Sequence, residues 1–377
     1  MMEDQKAPGA ATPREDEVAL LRGMLEITSL SGEEGPLAHY LQHEMEQRGL
    51  SSSIDGAGNA VGVAGVAEDA GPPTLVLLGH MDTAPGVVPV RQEGDLLYGR
   101  GAVDAKGPLA AFICAAARVA RRTPLHVVVV GAVEEECPTS AGARFAATQY
   151  QPSACIIGEP SRWDRVTLGY KGQLSVEYTV RQDAAHTASG GATASERAAA
   201  YWNGVVALAA GLSGSSSATS LNEFERLSPT LRSIDGGSNG VVDRARLDLS
   251  LRLPPGCNIV RLKETLHDLA KGGAVVCSEG DPAYRAPKNS PLVRAFLASI
   301  RAGDGRPAFV VKTGTSDMNV VGPAWGCPIL AYGPGDSSLD HTPHEHINLT
   351  EFGHAVSVLE SVLSTLDLPP RTAAASS

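Results

Sequence analysis

Thr74 to Asp82 reads TLVLLGHMD: an apolar run from Thr74 to Leu78, then Gly79, then His80 and Asp82. An unbroken apolar run points to a strand buried on both faces, in contrast to the alternation of a half-exposed one. Two later stretches repeat the pattern. His126 to Glu136 reads HVVVVGAVEEE, and Ala154 to Pro160 reads ACIIGEP, so each run closes on acidic or imidazole side chains. Pro108 to Ala120 and Phe145 to Gln149 read as helices between these runs. The alternation predicts an α/β layer with a central mixed sheet. In such sheets ligands bind beyond the carboxyl ends of the strands.

Upstream, helices are predicted from about Asp16 to Ile27 and again after Ser31. The segment Ser31-Gly32-Glu33-Glu34 has the form of a capping box. Downstream of Leu168 the texture changes: QLSVEYTVR (Gln173 to Arg181) and ARLDLSLRL (Ala245 to Leu253) alternate apolar and polar residues, as half-exposed strands do. Helical patterns at Ala192 to Ala210 and Ile259 to Leu269 complete an α+β insert. After Pro282, apolar strands return at Ala308 to Val311 and Pro328 to Tyr332, followed by a helix from Glu351 to Leu366. The expected organisation is a discontinuous α/β domain at 16–167 and 282–367, an inserted α+β domain at 168–281, and flexible tails at 1–15 and 368–377.

The chain has 377 residues, 43% hydrophobic and 19% charged, which is enough for two packed cores. A formal charge of −11 argues against a nucleic-acid binder, which needs a basic face. No apolar run approaches the roughly 20 residues of a membrane span, and Met1 to Glu15 carries no apolar leader core. Six scattered cysteines without a CxxC pair read as reduced thiols, and the expected compartment is the cytoplasm.

Five clusters carry chemistry. His80 with Asp82 two residues on can be a metal ligand beside its orienting carboxylate, or a plain loop histidine. Asp104, in the glycine-flanked GRGAVDAKG (Gly99 to Gly107), can be a ligand or only a helix cap. Glu134, Glu135 and Glu136 repel one another unless a cation offsets them. Glu159 follows its own buried strand. Asp340 to His346 (DHTPHEH) offers three histidines, of which at least two are expected at the surface. Together these clusters predict a pair of divalent cations sharing a carboxylate, with N/O ligation suited to zinc or a similar ion.

The ordered motifs GHMDTAPG, GRGAVDAKGPLAA, VEEE, GEPS and DHTPHEHI resemble the dinuclear zinc aminoacylase and carboxypeptidase family, which includes acetylornithine deacetylase and succinyl-diaminopimelate desuccinylase. The resemblance spans about Glu17 to Leu366. It implies a metallopeptidase-like amide hydrolase with an inserted lid domain that mediates homodimer formation. It also implies two divalent ions, Zn²⁺ or Co²⁺. By position, Asp104 would bridge, His80 and Glu159 would complete one metal site, and Glu135 and His341 the other. Asp82 would orient His80, and Glu134 would be the general base. His341 is preferred to His344 and His346 because the family ligand precedes a glutamate by four positions, here Glu345; His346 is the main rival. All the implied ligands and the base are present, which argues against a non-catalytic relative.

In the insert, GYKGQLSVEYTVRQDAAHTASG (Gly169 to Gly190) matches the family's strand followed by a lone histidine, so His186 would stabilise the oxyanion, reaching across from the partner of a dimer. Asn239 and Arg252 match substrate-binding positions, and the Arg252 fork suits an α-carboxylate. KTGTSDMN (Lys312 to Asn319) departs from the Gly-Gly-Thr-Ser of the deacetylases. It looks most like the branch that releases lysine or ornithine from the C-terminal glutamate of a small acidic amino-group carrier protein, with Thr315 and Ser316 as pocket contacts. That resemblance implies the carrier as partner and a place in lysine and arginine biosynthesis, with no nucleic-acid or membrane partner.

Overall fold

The computed structural model describes residues 12–66, 71, 73–186, 190–212 and 223–369. They fall into two compact units. One comprises Met1–Gly169, Ala286–Val310 and Ser316–Ser377; the other comprises Tyr170–Arg285 and Val311–Thr315, the last a segment that sequence pattern alone placed with the first unit.

The first unit is an α/β layer around a mixed sheet. Its strands lie in the order Ser51–Ile54, Ala60–Gly65, His126–Ala132, Thr74–His80, Ala154–Gly158, Ile329–Ala331, Arg165–Tyr170. The four from His126–Ala132 to Ile329–Ala331 are mutually parallel, and the outer pairings are antiparallel. Thr74–His80 is thus flanked on both sides by parallel neighbours, which is why its sequence shows no alternation. Helix Lys106–Val119 is buried almost all round, leaving Ala117 and Arg118 to reach toward solvent. Its apolar circumference is the mark of a core helix. Arg118 donates to both Glu17 oxygens (2.7 and 2.8 Å) and to Glu360 (2.9 Å), tying together helices Glu15–Glu26, Lys106–Val119 and Leu349–Thr365.

The helix reaches the sheet because glycine occupies the strand ends beneath it. A Cβ on Gly158 would lie 2.9 Å from the Phe112 ring and 3.0 Å from the Gly79 Cα. Only glycine permits that approach.

The predicted capping box is not formed. Helix Gly35–Gln47 starts after Glu34. The Ser31 hydroxyl donates instead to Asp82 Oδ2 (2.8 Å), and Glu34 Oε1 accepts the Gly32 and Glu134 amides (3.0 Å each). A distant carboxylate takes the Ser31 hydroxyl, and the Glu34 carboxylate is taken by backbone amides, one of them 100 residues away.

The second unit is an antiparallel sheet, Ser228–Ser238, Val242–Leu253, Gly172–Asp183, Ala274–Cys277 in order, with helices Ala194–Leu212 and Ile259–Leu269. Leu174, Val176, Tyr178 and Val180 face the core together with Ala245, Leu247, Leu249 and Leu251, the period-two pattern read from the sequence. Tyr178 stacks on Tyr201 with ring centroids 4.1 Å apart. The six cysteines are all free, and no described helix is long and apolar enough to cross a membrane.

Candidate metal centre

The sheet register brings three acidic or imidazole groups to one edge. Gly79 pairs with Gly131 on one side and Gly158 on the other, so His80, the Glu134–Glu136 run and Glu159 emerge side by side. His80 is 1% exposed. Its Nδ1 lies 3.0 Å from the Asp82 carbonyl and 3.4 Å from Asp82 Oδ1, which turns Nε2 toward the carboxylates. Nε2 lies 3.2 Å from Asp104 Oδ1, 3.9 Å from Glu159 Oε1 and 4.0 Å from Glu135 Oε2.

Asp104 comes from the loop ahead of helix Lys106–Val119, and its two oxygens face different histidines. Oδ1 faces His80, while Oδ2 lies 3.0 Å from His341 Nε2. His341 Nε2 also lies 2.8 Å from Glu136 Oε1. Two donor groups result, His80–Glu135–Glu159 and Asp104–Glu136–His341, each with ligand atoms within 4.8 Å of one another. All of these residues belong to the first unit.

Within the EEE run the geometry differs from the sequence expectation by one residue. Glu136, not Glu135, stands against His341 and Asp104, and Glu135 stands with His80 and Glu159. Glu134 turns aside. Its φ is 60°, its carboxylate accepts the Thr139 hydroxyl, and its amide donates to Glu34. A non-glycine residue in that region costs on the order of 1 kcal/mol and persists where surrounding bonds enforce it. Asp82 supplies two of them, accepting the Glu135 amide on Oδ1 (3.1 Å) and the Glu136 amide on Oδ2 (2.9 Å). Asp82 therefore positions the acidic run as well as His80. His346 is in neither donor group; it pairs with Tyr98 in a short antiparallel sheet and its ring packs 4.8 Å from the tyrosine ring. The sequence pattern gives Glu136 no separate role within the acidic run and gives Glu34 only that of a helix cap. The EEE run pointed to Glu136, but identical neighbours carry no signal of register.

The electrostatics show what this arrangement demands. Burial pushes Glu135 well up, and the Glu159, Asp317 and Glu136 charges add to it; burial, Asp104 and nearby acids do the same to Glu159. For His80, burial opposes the charged form, but hydrogen bonds to Asp104 and Asp82 outweigh it and raise its pKa well above the usual value. Asp104 and Glu136 push His341 up to about 10. Burial works against the charged form of Asp104 too, but His341 and His80 hold its carboxyl well below the ordinary range. Clustered buried carboxylates interleaved with imidazole nitrogens are the donor set that divalent first-row ions take. A cation among them would offset the desolvation of Glu135 and Glu159.

The remaining predicted contacts lie elsewhere. Asn239 Oδ1 accepts the Val241 and Val242 amides (3.0 and 2.8 Å), so its visible work is to hold the turn before strand Val242–Leu253. Arg252 donates to Gln173 Oε1 and to the Thr315 hydroxyl, both at 2.8 Å. It lines a pocket of about 310 Å³ with Lys171, Glu223, Ser228, Thr313 and Gly314, all in the second unit. His186 is exposed in the same unit. Ser316, in the first unit and 4% exposed, accepts the Met318 amide as helix Met318–Trp325 begins.

Residues 76–365 match peptidase family M20/M25/M40. The chain belongs to that family. It is 44% identical over 364 residues to the LysW-lysine hydrolase of Deinococcus radiodurans, covering 95% of this chain and 98% of the relative. It is 36% identical over 354 residues to a putative LysW-lysine/LysW-ornithine hydrolase of Pyrococcus abyssi, covering 94% and 95%. Among solved structures, an M20 family metallo-carboxypeptidase of Sulfolobus solfataricus superposes with a TM-score of 0.72 at 20% identity, covering 93% of this chain and 99% of the other. The M20/M25/M40 assignment makes the chain a metal-binding hydrolase acting on amide bonds, with the α/β fold described above.

Proposed function

We propose that this protein hydrolyses the amide that joins lysine or ornithine to the side-chain carboxyl of the C-terminal glutamate of a small acidic carrier protein, in cytoplasmic lysine and arginine biosynthesis. The observation that carries this reading is the 44% identity, along 95% of the chain, to a LysW-lysine hydrolase, together with a complete set of acidic and imidazole donors at the sheet edge.

In this proposal His80 and Glu159 would hold one cation and Glu136 and His341 the other, with Asp104, which faces both histidines, shared between them. The cations, zinc or cobalt, supply Lewis acidity for the scissile carbonyl and for water. Glu135 takes the base role that the sequence pattern gave to Glu134. Its carboxylate stands in the first donor group, 4.0 Å from His80 Nε2, and burial raises its pKa, the direction needed by a group that takes a proton and later returns it. It accepts a proton from the attacking water and returns it to the departing amine. The water oxygen stays on the glutamate side chain, and the C–N bond breaks to release the free amino acid. Arg252, Thr315, Ser316 and Asn239 are assigned to the substrate, Arg252 to its carboxylate, and His186 to the oxyanion. The second unit is assigned a lid and dimer role. Among the described residues, strand Ser228–Ser238 lies at the sheet edge with mostly exposed side chains, which suits extension of the sheet by a second copy.

The test is hydrolysis by cation-loaded protein of two substrates side by side, a carrier ending in glutamate amide-linked to lysine or ornithine, and N-acetylornithine. Preference for the carrier is expected. Preference for N-acetylornithine would overturn the substrate assignment and leave the metal centre standing.

A further inference from the structure

Glu345 is a fully buried carboxylate, 0% exposed, with no place in the donor groups. Its bonds nevertheless converge on them. Oε1 accepts the backbone amides of Val103 (2.9 Å) and Asp104 (3.1 Å), and Oε2 accepts the Arg100 guanidinium (2.8 Å). Arg100 in turn donates to the Thr342 carbonyl (3.3 Å), next to His341. The Glu345 carbonyl accepts the Gly99 amide (3.3 Å), and His346 and Ile347 pair with Tyr98 and Leu97.

Two loops far apart in sequence are thereby joined by five hydrogen bonds and a short strand pairing. One carries Asp104, the other His341. Both need the restraint. His341 has φ 59°, a conformation a non-glycine side chain resists. Its side chain is 52% exposed, so packing alone does not hold it. Asp104 presents one oxygen to each histidine, so its backbone direction has to be held for both contacts to persist.

We infer that the Arg100–Glu345 pair is a positioning clamp that sets the separation of Asp104 and His341 and so tunes the affinity of the cation these two share. The inference rests on the two-cation reading. A buried carboxylate is tolerated only where it is paired and fully hydrogen-bonded. Glu345 meets that condition with one guanidinium and two amides, which makes it rigid as well as tolerated. His80 and Glu159 lie outside the clamp, so the cation they hold keeps most of its donors when the clamp is weakened.

The experiment is titration of the metal-free full chain with Co²⁺, followed by its visible absorption and by competition with a chelator, for wild type, Glu345→Gln and Arg100→Lys. Wild type should take up two ions. Glu345→Gln keeps the shape and the amide acceptor but removes the charge facing Arg100. It should weaken the second ion by about tenfold or more while the first changes little, as expected for groups that orient metal ligands. Arg100→Lys keeps the charge but loses the fork, and should give a smaller loss at the same ion. If Glu345→Gln is not recovered folded, Arg100→Lys decides alone. Unchanged binding of both ions, or equal weakening of both, would overturn the clamp. Wild type binding fewer than two ions would instead overturn the two-cation reading beneath it.

Discussion

Three neighbouring glutamates have three different surroundings, and substitution should separate them. Glu135→Gln is expected to cut turnover by about 10²-fold or more while both cations stay bound, because it removes a base and not an assigned ligand. Glu136→Gln should release one cation, read by elemental analysis of the dialysed protein. Glu134→Gln should leave turnover within a few-fold of wild type, since its carboxylate faces Thr139. A dead Glu134 variant with both cations bound would return the base role to that residue. The same groups fix a pH dependence. Cation binding needs the carboxylates ionised and the imidazoles neutral, and Glu135, Glu159, His80 and His341 all hold their protons to higher pH than usual. Affinity should therefore rise with pH up to about 10, where His341 gives up its proton. Co²⁺ titration at a series of pH values checks this, and a flat profile would count against these donors.

At the level of elements, the centre depends on how closely helix Lys106–Val119 lies on the strands that end in His80 and Gly158. Gly158→Ala puts a methyl 2.9 Å from the Phe112 ring, and the adjacent Gly79 backbone cannot yield. It should destabilise the protein by about 1–3 kcal/mol, seen as a lower urea midpoint with an unchanged slope. Glu159 follows directly, so cation binding should weaken as well. The strand runs were legible because burial on both faces leaves a continuous apolar string. The capping box at Ser31 was not, because its hydroxyl and the Glu34 carboxylate serve partners 51 and 100 residues away.

For the whole molecule, the cations act as stabilising ligands. Chelation should lower the thermal midpoint, by an amount equivalent to about 4 kcal/mol if the ions were at a thousandfold excess over Kd. Light scattering should give roughly twice the chain mass of 39.1 kDa if strand Ser228–Ser238 extends its sheet with a second copy. A single-chain mass would remove the dimer role assigned to the second unit.

The α/β layer, the change of texture near Leu168, and the acidic and imidazole residue types at the strand ends are legible in the chain alone, because each is written in local periodicity and composition. Which member of each cluster meets which partner is set by tertiary contacts. Glu136 rather than Glu135 meets His341 because φ at Glu134 and the amide bonds to Asp82 set the direction of the run. His341 rather than His346 reaches Asp104 because His346 is committed to pairing with Tyr98. Adjacent residues of like chemistry are equivalent along the chain, and only distant partners, through backbone direction and burial, make them different.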